Sequence, residues 1–161
     1  MHSLLRTIAL AIFASVALAT TAFASNERPM SGGFTVAVVP VDQRCGPNAL
    51  TIGFEGSGIA THLGRMTGTG SNCTEFSLSE DTVAIWDGIA TYVAADGSSI
   101  TVAYEGVQQA PAGGVALATT TSTVISGTGR FEDATGAWDG SGTIDFITGL
   151  FTGTFSGWVA Y

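Results

Sequence analysis

The sequence predicts an all-β protein, a single antiparallel barrel of about eight strands. Three observations point there. After residue 24 no window carries a helical stripe, and β-branched and aromatic residues dominate. Ser126 to Gly136 is a glycine-punctuated turn between two threonine-rich, alternating segments, the second of which runs into a hairpin ending at Tyr161. Two strands are not stable alone, so this corner belongs to a larger sheet. Finally, the last strand sets Phe151, Phe155, Val159 and Tyr161 on one face with Gly153 and Gly157. Glycines beside aromatics let a sheet coil tightly, and closure removes exposed edges. A two-sheet sandwich is the rival, because the same turn-rich pattern fits both.

Taken in order, Phe34 to Val41 is valine-rich, with Pro40 marking a strand end or edge. Asp42 to Asn48 is a turn carrying Cys45. Ala49 to Glu55 is a strand that Gly56 and Gly58 break or bulge. Ile59 to Thr67 is a third strand, followed by a loop, Gly68 to Asn72, leading into Cys73. Phe76 and Leu78 suggest a short strand. Thr82 to Ala94 is long, with a bend at Gly88. Ala95-Asp96-Gly97-Ser98 is a hairpin turn, since Asp-Gly supplies positive φ at low cost. Ser99 to Val107 returns, Gln108 to Gly114 is a loop, and Val115 to Ser126 is β-branched throughout. Trp138 to Ile147 and Leu150 to Tyr161 close the chain around Thr148-Gly149.

The N-terminus reads as an export signal. Arg6 precedes an apolar run, Ile8 to Leu18, that is too short to span a bilayer, and Ala22-Phe23-Ala24 fits a small-x-small cleavage site. Cleavage between Ala24 and Ser25 would leave a polar leader, residues 25–32, and a barrel domain, residues 33–161, in a secreted or periplasmic protein. An uncleaved anchor is the alternative. The mature part keeps Arg28, Arg44, Arg65 and Arg130 against 13 acids and has no lysine. Such a surface repels nucleic acid and anionic headgroups, so neither is an expected partner.

Cys45 and Cys73 are the only cysteines. In an exported protein an even pair reads as a disulfide. A metal site is the rival, but structural zinc wants four ligands, so no metal and no cofactor are expected. Asn72-Cys73-Thr74 fits the glycosylation pattern only formally. The acid pairs Glu80-Asp81 and Glu132-Asp133 follow no calcium-loop consensus.

Gly58-Ile59-Ala60-Thr61-His62-Leu63-Gly64-Arg65 resembles a recurrent motif of small exported bacterial barrel proteins. Gly127 to Gly136, with Gly153-Thr154-Phe155-Ser156-Gly157 behind it, resembles their later turn. It is also similar to the glycine–phenylalanine corner of the allene oxide cyclase-like and dirigent-like barrels. The likeness spans Phe54 to Tyr161. It implies an eight-stranded, calycin-like barrel with an apolar interior. It carries no catalytic residue onto this chain, because such barrels host cyclases, coupling guides and non-enzymes alike.

His62 is the one histidine of the mature chain, a candidate acid–base group or else a strand residue fixing register beside Arg65. Arg65 and Arg130 each sit beside a glycine. Either could clamp a carboxylate or, with an acid such as Glu132 or Asp133, tie a barrel corner together with Gly129 and Phe131. Alternation puts Glu105 and Asp145 toward solvent, whereas Asp87 shares a face with Val83, Ile85 and Ile89 and is the best candidate for an internal acid. Trp86, Tyr92, Tyr104, Phe151 and Phe155 are candidates to line a pocket for a small apolar ligand, or simply to fill the interior. The leading function is binding without turnover. The alternatives are a cyclase or isomerase that folds its substrate by shape around one internal acid, and a structural or cell-surface protein. An outer-membrane barrel is disfavoured by too few tyrosines and tryptophans for two girdles. Oligomeric state is not readable from the sequence.

Overall fold

The computed structural model describes residues 26–75, 82–109 and 113–161. Eight antiparallel strands close on themselves in sequence order: β1 Arg28–Val39, β2 Leu50–Ala60, β3 Gly64–Thr74, β4 Thr82–Ala94, β5 Ser99–Gln109, β6 Val115–Thr128, β7 Thr135–Asp145 and β8 Leu150–Ala160. Closure comes from β1 against β8, in register from Arg28↔Val159 to Ala37↔Leu150. The barrel reading therefore holds and the sandwich does not. The segments read as signal peptide, the Phe76–Leu78 strand and the Glu80-Asp81 pair lie outside the described residues.

Three boundaries differ from the sequence reading. β1 begins at Arg28, inside the segment read as a leader, because Arg28 to Gly32 pair with β8. Gly56 and Gly58 do not break β2, which pairs without interruption from Leu50 to Ala60. A Cβ at Gly56 would run into the Thr35 carbonyl and Val36, so the glycine allows a close approach of β1. The turn instead falls at Thr61–Leu63, within what the sequence suggested was a third strand, and the stretch read as a loop, Gly68 to Asn72, is the continuation of β3.

Alternation sorts the two faces. The outer face is mostly threonine, serine and acids, for example Thr67 and Thr69 on β3, Thr119, Thr121 and Thr123 on β6, and Thr152, Thr154 and Ser156 on β8. The inner rows are apolar. One end of the lumen is filled: Met30, Leu63, Met66, Ile100, Val102, Phe131, Trp138, Phe155 and Val159 form one buried cluster. Phe131, on the short 3-10 turn Gly129–Phe131, is fully buried and plugs this end, meeting the Tyr161 ring edge-on at 4.8 Å.

Turn chemistry seals the same end. Arg130 donates to Asp96 at 2.6 Å and to the His62 carbonyl at 2.8 Å, joining the β2–β3, β4–β5 and β6–β7 connections. Arg130 thus ties a corner, but its acid is Asp96 and not Glu132 or Asp133. Arg65, by contrast, ties nothing: it is exposed on the outer face of β3 beside Ile59 and makes no ion pair with a described residue.

Candidate functional site

At the opposite end, where β1 stops and β2 begins, the lumen is not filled. An apolar cavity of about 360 Å³ occupies it, within the size range of small-molecule pockets. The space has a simple origin in the inner rows. β6 lines it with only Ala118, Thr120 and Ser122, and the neighbouring inner row of β7 offers Gly140 and Gly142 before Ile144, so this side carries small side chains. Around the rest of the lining stand Phe34, Phe54, Tyr92, Tyr104 and Phe151, with Val36, Ile52, Val83, Ile85 and Ile144 between them. Phe34 and Phe151 contact at 5.4 Å, and Phe54 and Tyr104 at 6.4 Å.

Of the aromatic candidates, Tyr92, Tyr104 and Phe151 line this cavity. Phe155 does not; it lies deeper, against Trp138 at 5.7 Å, as part of the filled half. Trp86 is outside the barrel altogether. It is half-buried in a shallow outer groove with Glu105 and Val107.

The reason for the misplaced Trp86 also relocates Asp87. β4 carries one extra residue between Ile85 and Gly88, seen against both β3 and β5. This bulge shifts the alternation, so that Val83 and Ile85 face inward before it and Gly88, Ala90 and Tyr92 after it. Asp87 takes φ 49° and points outward. It forms an ion pair with Arg44, whose backbone N–H is held by Thr51 Oγ1 at 2.9 Å. Cys45 is bonded to Cys73 beside this contact, fastening residues 43–45 to the outer face of β3. The expected internal acid is therefore an outer-surface clamp.

His62 is equally remote from the cavity. It occupies the turn at the sealed end with φ 67°, not a strand. Arg28 donates to the Tyr161 hydroxyl at 3.2 Å, and that hydroxyl lies 3.3 Å from His62 Nδ1. The Tyr161 proton is thus directed to Nδ1, which leaves the hydrogen on Nε2 to donate to the Pro29 carbonyl at 3.1 Å. Each ring nitrogen is used structurally. Glu105 is exposed, as read, and Asp145 turns its carboxylate to the N–H groups of Ile147 and Thr148, which hold its pKa below the ordinary value.

The polar groups of the cavity wall are neutral, apart from Glu75 at the rim. Tyr104 donates its hydroxyl to Asn72 Oδ1 at 3.0 Å. Asn72 faces the lumen, so it is not a surface glycosylation site. Burial raises the pKa of Tyr92 to about 12 and, helped by the neighbouring Tyr92, raises that of Tyr104 further. Both phenols are uncharged at any physiological pH. No group of acids, histidines and cysteines that could hold a metal occurs among the described residues.

Sequence reasoning missed Phe34, Phe54, Asn72, Thr120 and Ser122. The available signal was the alternation of small residues along Val115 to Ser126, which marks one face of β6 as too small to fill a lumen.

No family model and no curated protein matches the chain. Solved structures similar to it include two dirigent proteins. One is the pterocarpan synthase dirigent protein PsPTS1, with 13% identity, a TM-score of 0.46, and coverage of 86% of this chain and 98% of that one. The other is the pterocarpan synthase dirigent protein GePTS1, with 15% identity, a TM-score of 0.44, and coverage of 84% and 89%.

Proposed function

We propose that this protein is an exported carrier that holds a small, largely apolar molecule in the unfilled half of its barrel, without turnover. The observation that carries the reading is the cavity itself: about 360 Å³, walled by aromatic and aliphatic side chains, at one end of an otherwise packed lumen. Burying an apolar ligand there gains about 25 cal/mol for each Å² removed from water. A purely structural barrel would gain more from filling this space than from leaving it, since cavities cost stability. A shape-directed cyclase would need an acid well inside; Asp87 and His62 lie outside the cavity, and the acid that lines it, Glu75, stands at its rim.

Export is supported by the disulfide, which persists in oxidising compartments. The barrel's faces argue against insertion in an outer membrane. Membrane barrels are apolar outside and polar inside, whereas here hydrocarbon fills the inside, and on the outside threonines, serines and acids interrupt the exposed Ile59, Ile89, Val107, Leu117 and Ile125.

The test is binding of a neutral fluorophore, N-phenyl-1-naphthylamine, to the mature protein and to Ala118→Phe. Ala118 is buried on the small-residue wall, and a phenyl group there would occupy the cavity. Saturable binding lost in the folded variant supports the proposal. Absence of binding to the wild type, or equal binding to both, overturns it. Native mass spectrometry of protein purified from its own source would then identify the occupant.

A further inference from the structure

The cavity is not uniformly greasy. Its polar side chains run from β3 to β6, with Thr74, Glu75 and Gln108 toward the strand ends and Tyr104, Thr120 and Ser122 further in, and the inner group is unevenly committed. Tyr104 and Ser122 are direct cross-strand partners between β5 and β6, and Thr120 is the next inward residue along β6. Tyr104 has given its proton to Asn72 Oδ1, so its oxygen retains lone pairs and can only accept a further bond. Asn72 in turn spends an N–H on the Cys73 carbonyl. The Ser122 and Thr120 hydroxyls make no hydrogen bond to another described residue, yet no fully buried side-chain polar atom lacks a partner. Both therefore open onto the cavity they line. The Thr120 hydroxyl stands over Gly140, where a Cβ would lie 2.8 Å away, so nothing on β7 covers it.

From this juxtaposition we infer that the ligand is a neutral alcohol on a hydrocarbon frame, its hydroxyl seated against Tyr104, Ser122 and Thr120. The inference rests on the carrier reading above and narrows it. A hydroxyl both donates and accepts, which matches one committed acceptor beside two free hydroxyls. A carbonyl could use only the two hydroxyls. A carboxylate would enter a wall with no cation among the described lining residues and would pay desolvation without recompense. A bare hydrocarbon would leave the Ser122 and Thr120 hydroxyls without a partner once water is displaced.

The experiment is displacement of N-phenyl-1-naphthylamine by a matched set, adamantane, 1-adamantanol, 2-adamantanone and adamantane-1-carboxylate, from wild type and from Thr120→Val/Ser122→Ala. An alcohol is better solvated in water than a hydrocarbon, so the readout is a ratio of ratios and not a bare affinity. The expected result is that the alcohol-to-hydrocarbon affinity ratio falls about tenfold in the variant, the scale of one or two neutral hydrogen bonds. The wild type should also bind the carboxylate at least tenfold more weakly than the alcohol. If the ratio is unchanged in the variant, or the carboxylate competes as well as the alcohol, the alcohol assignment is wrong while the carrier reading stands. If the fluorophore does not bind the wild type at all, both fail together.

Discussion

Tyr104 on β5 reaches across β4 to hydrogen-bond Asn72 on β3, and it does so over Gly88. Its ring occupies the space a side chain at Gly88 would need: a Cβ there would lie 2.6 Å from the ring carbons. Gly88 and Tyr104 are also register partners immediately after the β4 bulge. The bulge, the glycine and the tyrosine thus form one device that brings a phenol into the lumen wall. Gly88→Val should cost about 2–3 kcal/mol through overpacking. Tyr104→Phe should cost only about 1 kcal/mol, because the freed Asn72 oxygen faces a cavity that water can enter. Urea unfolding of the two variants checks this order; a reversed order would mean that the ring does not depend on the glycine.

The two buried phenols make stability fall in alkali. For Tyr92 the folded pKa, about 12, lies above the ordinary 10.0. Between those values the unfolded chain releases a proton that the folded one keeps, so stability is full below pH 10 and declines as pH rises toward 12. Tyr104 adds in the same direction. Thermal unfolding followed from pH 9 upward should show the fall, and Tyr92→Phe should make it shallower. An unchanged slope in Tyr92→Phe would place that phenol in water.

How far the sequence was legible follows from where each signal resides. The closed sheet, the Asp96-Gly97 hairpin and the inward row of β8 were legible, because alternation and glycine-bearing turns are local properties. The Thr61–Leu63 turn was not: its one glycine signal, Gly64 at φ 67°, stands just after it, inside a stretch that reads as one strand. It is held by distant partners, with the Thr61 N–H donating to Ser31 O, the Ser31 N–H donating to Thr61 Oγ1, and His62 pinned to Pro29. Asp87 was misread because a single extra residue reverses every face after it. Arg130 was recognised as a corner residue, but its partner Asp96 is 34 positions away and only the fold brings the two together. The cavity is an absence of side chains, spread over β6 and β7, and no single residue announces it.

The Cys45–Cys73 bond closes a loop with a sequence separation of 28. In the chain-entropy model this contributes about 3–4 kcal/mol by restricting the unfolded state. Cys45→Ser/Cys73→Ser should therefore lower the urea midpoint strongly, and treatment of the wild type with a reductant should do the same. The Arg44–Asp87 pair beside it is largely exposed, so Asp87→Asn should cost about 1 kcal/mol or less. A larger effect from Asp87→Asn than from loss of both cysteines would show that the ion pair, and not the covalent bond, fixes this segment.

At the sealed end, Gly129 begins the turn that inserts Phe131 into the barrel. It takes φ 61°, and a Cβ would lie 2.5 Å from Ser98 Oγ, the atom that accepts the Arg130 N–H at 3.3 Å. Valine is penalised twice here: by a backbone conformation that β-branched residues avoid, and by displacement of Ser98 from the turn it organises. The combined cost should be about 2–4 kcal/mol. Gly129→Ala meets the same obstacle with a smaller side chain and should fall between wild type and valine. Because Phe131 is the plug of the filled half, loosening this corner should also raise the exposure of the buried cluster, which native-state hydrogen exchange at Ile100 and Val102 would detect. Wild-type unfolding in Gly129→Val would mean that Phe131 is held in place without the left-handed glycine, and that the β6–β7 corner is not the closure on which the packed half depends.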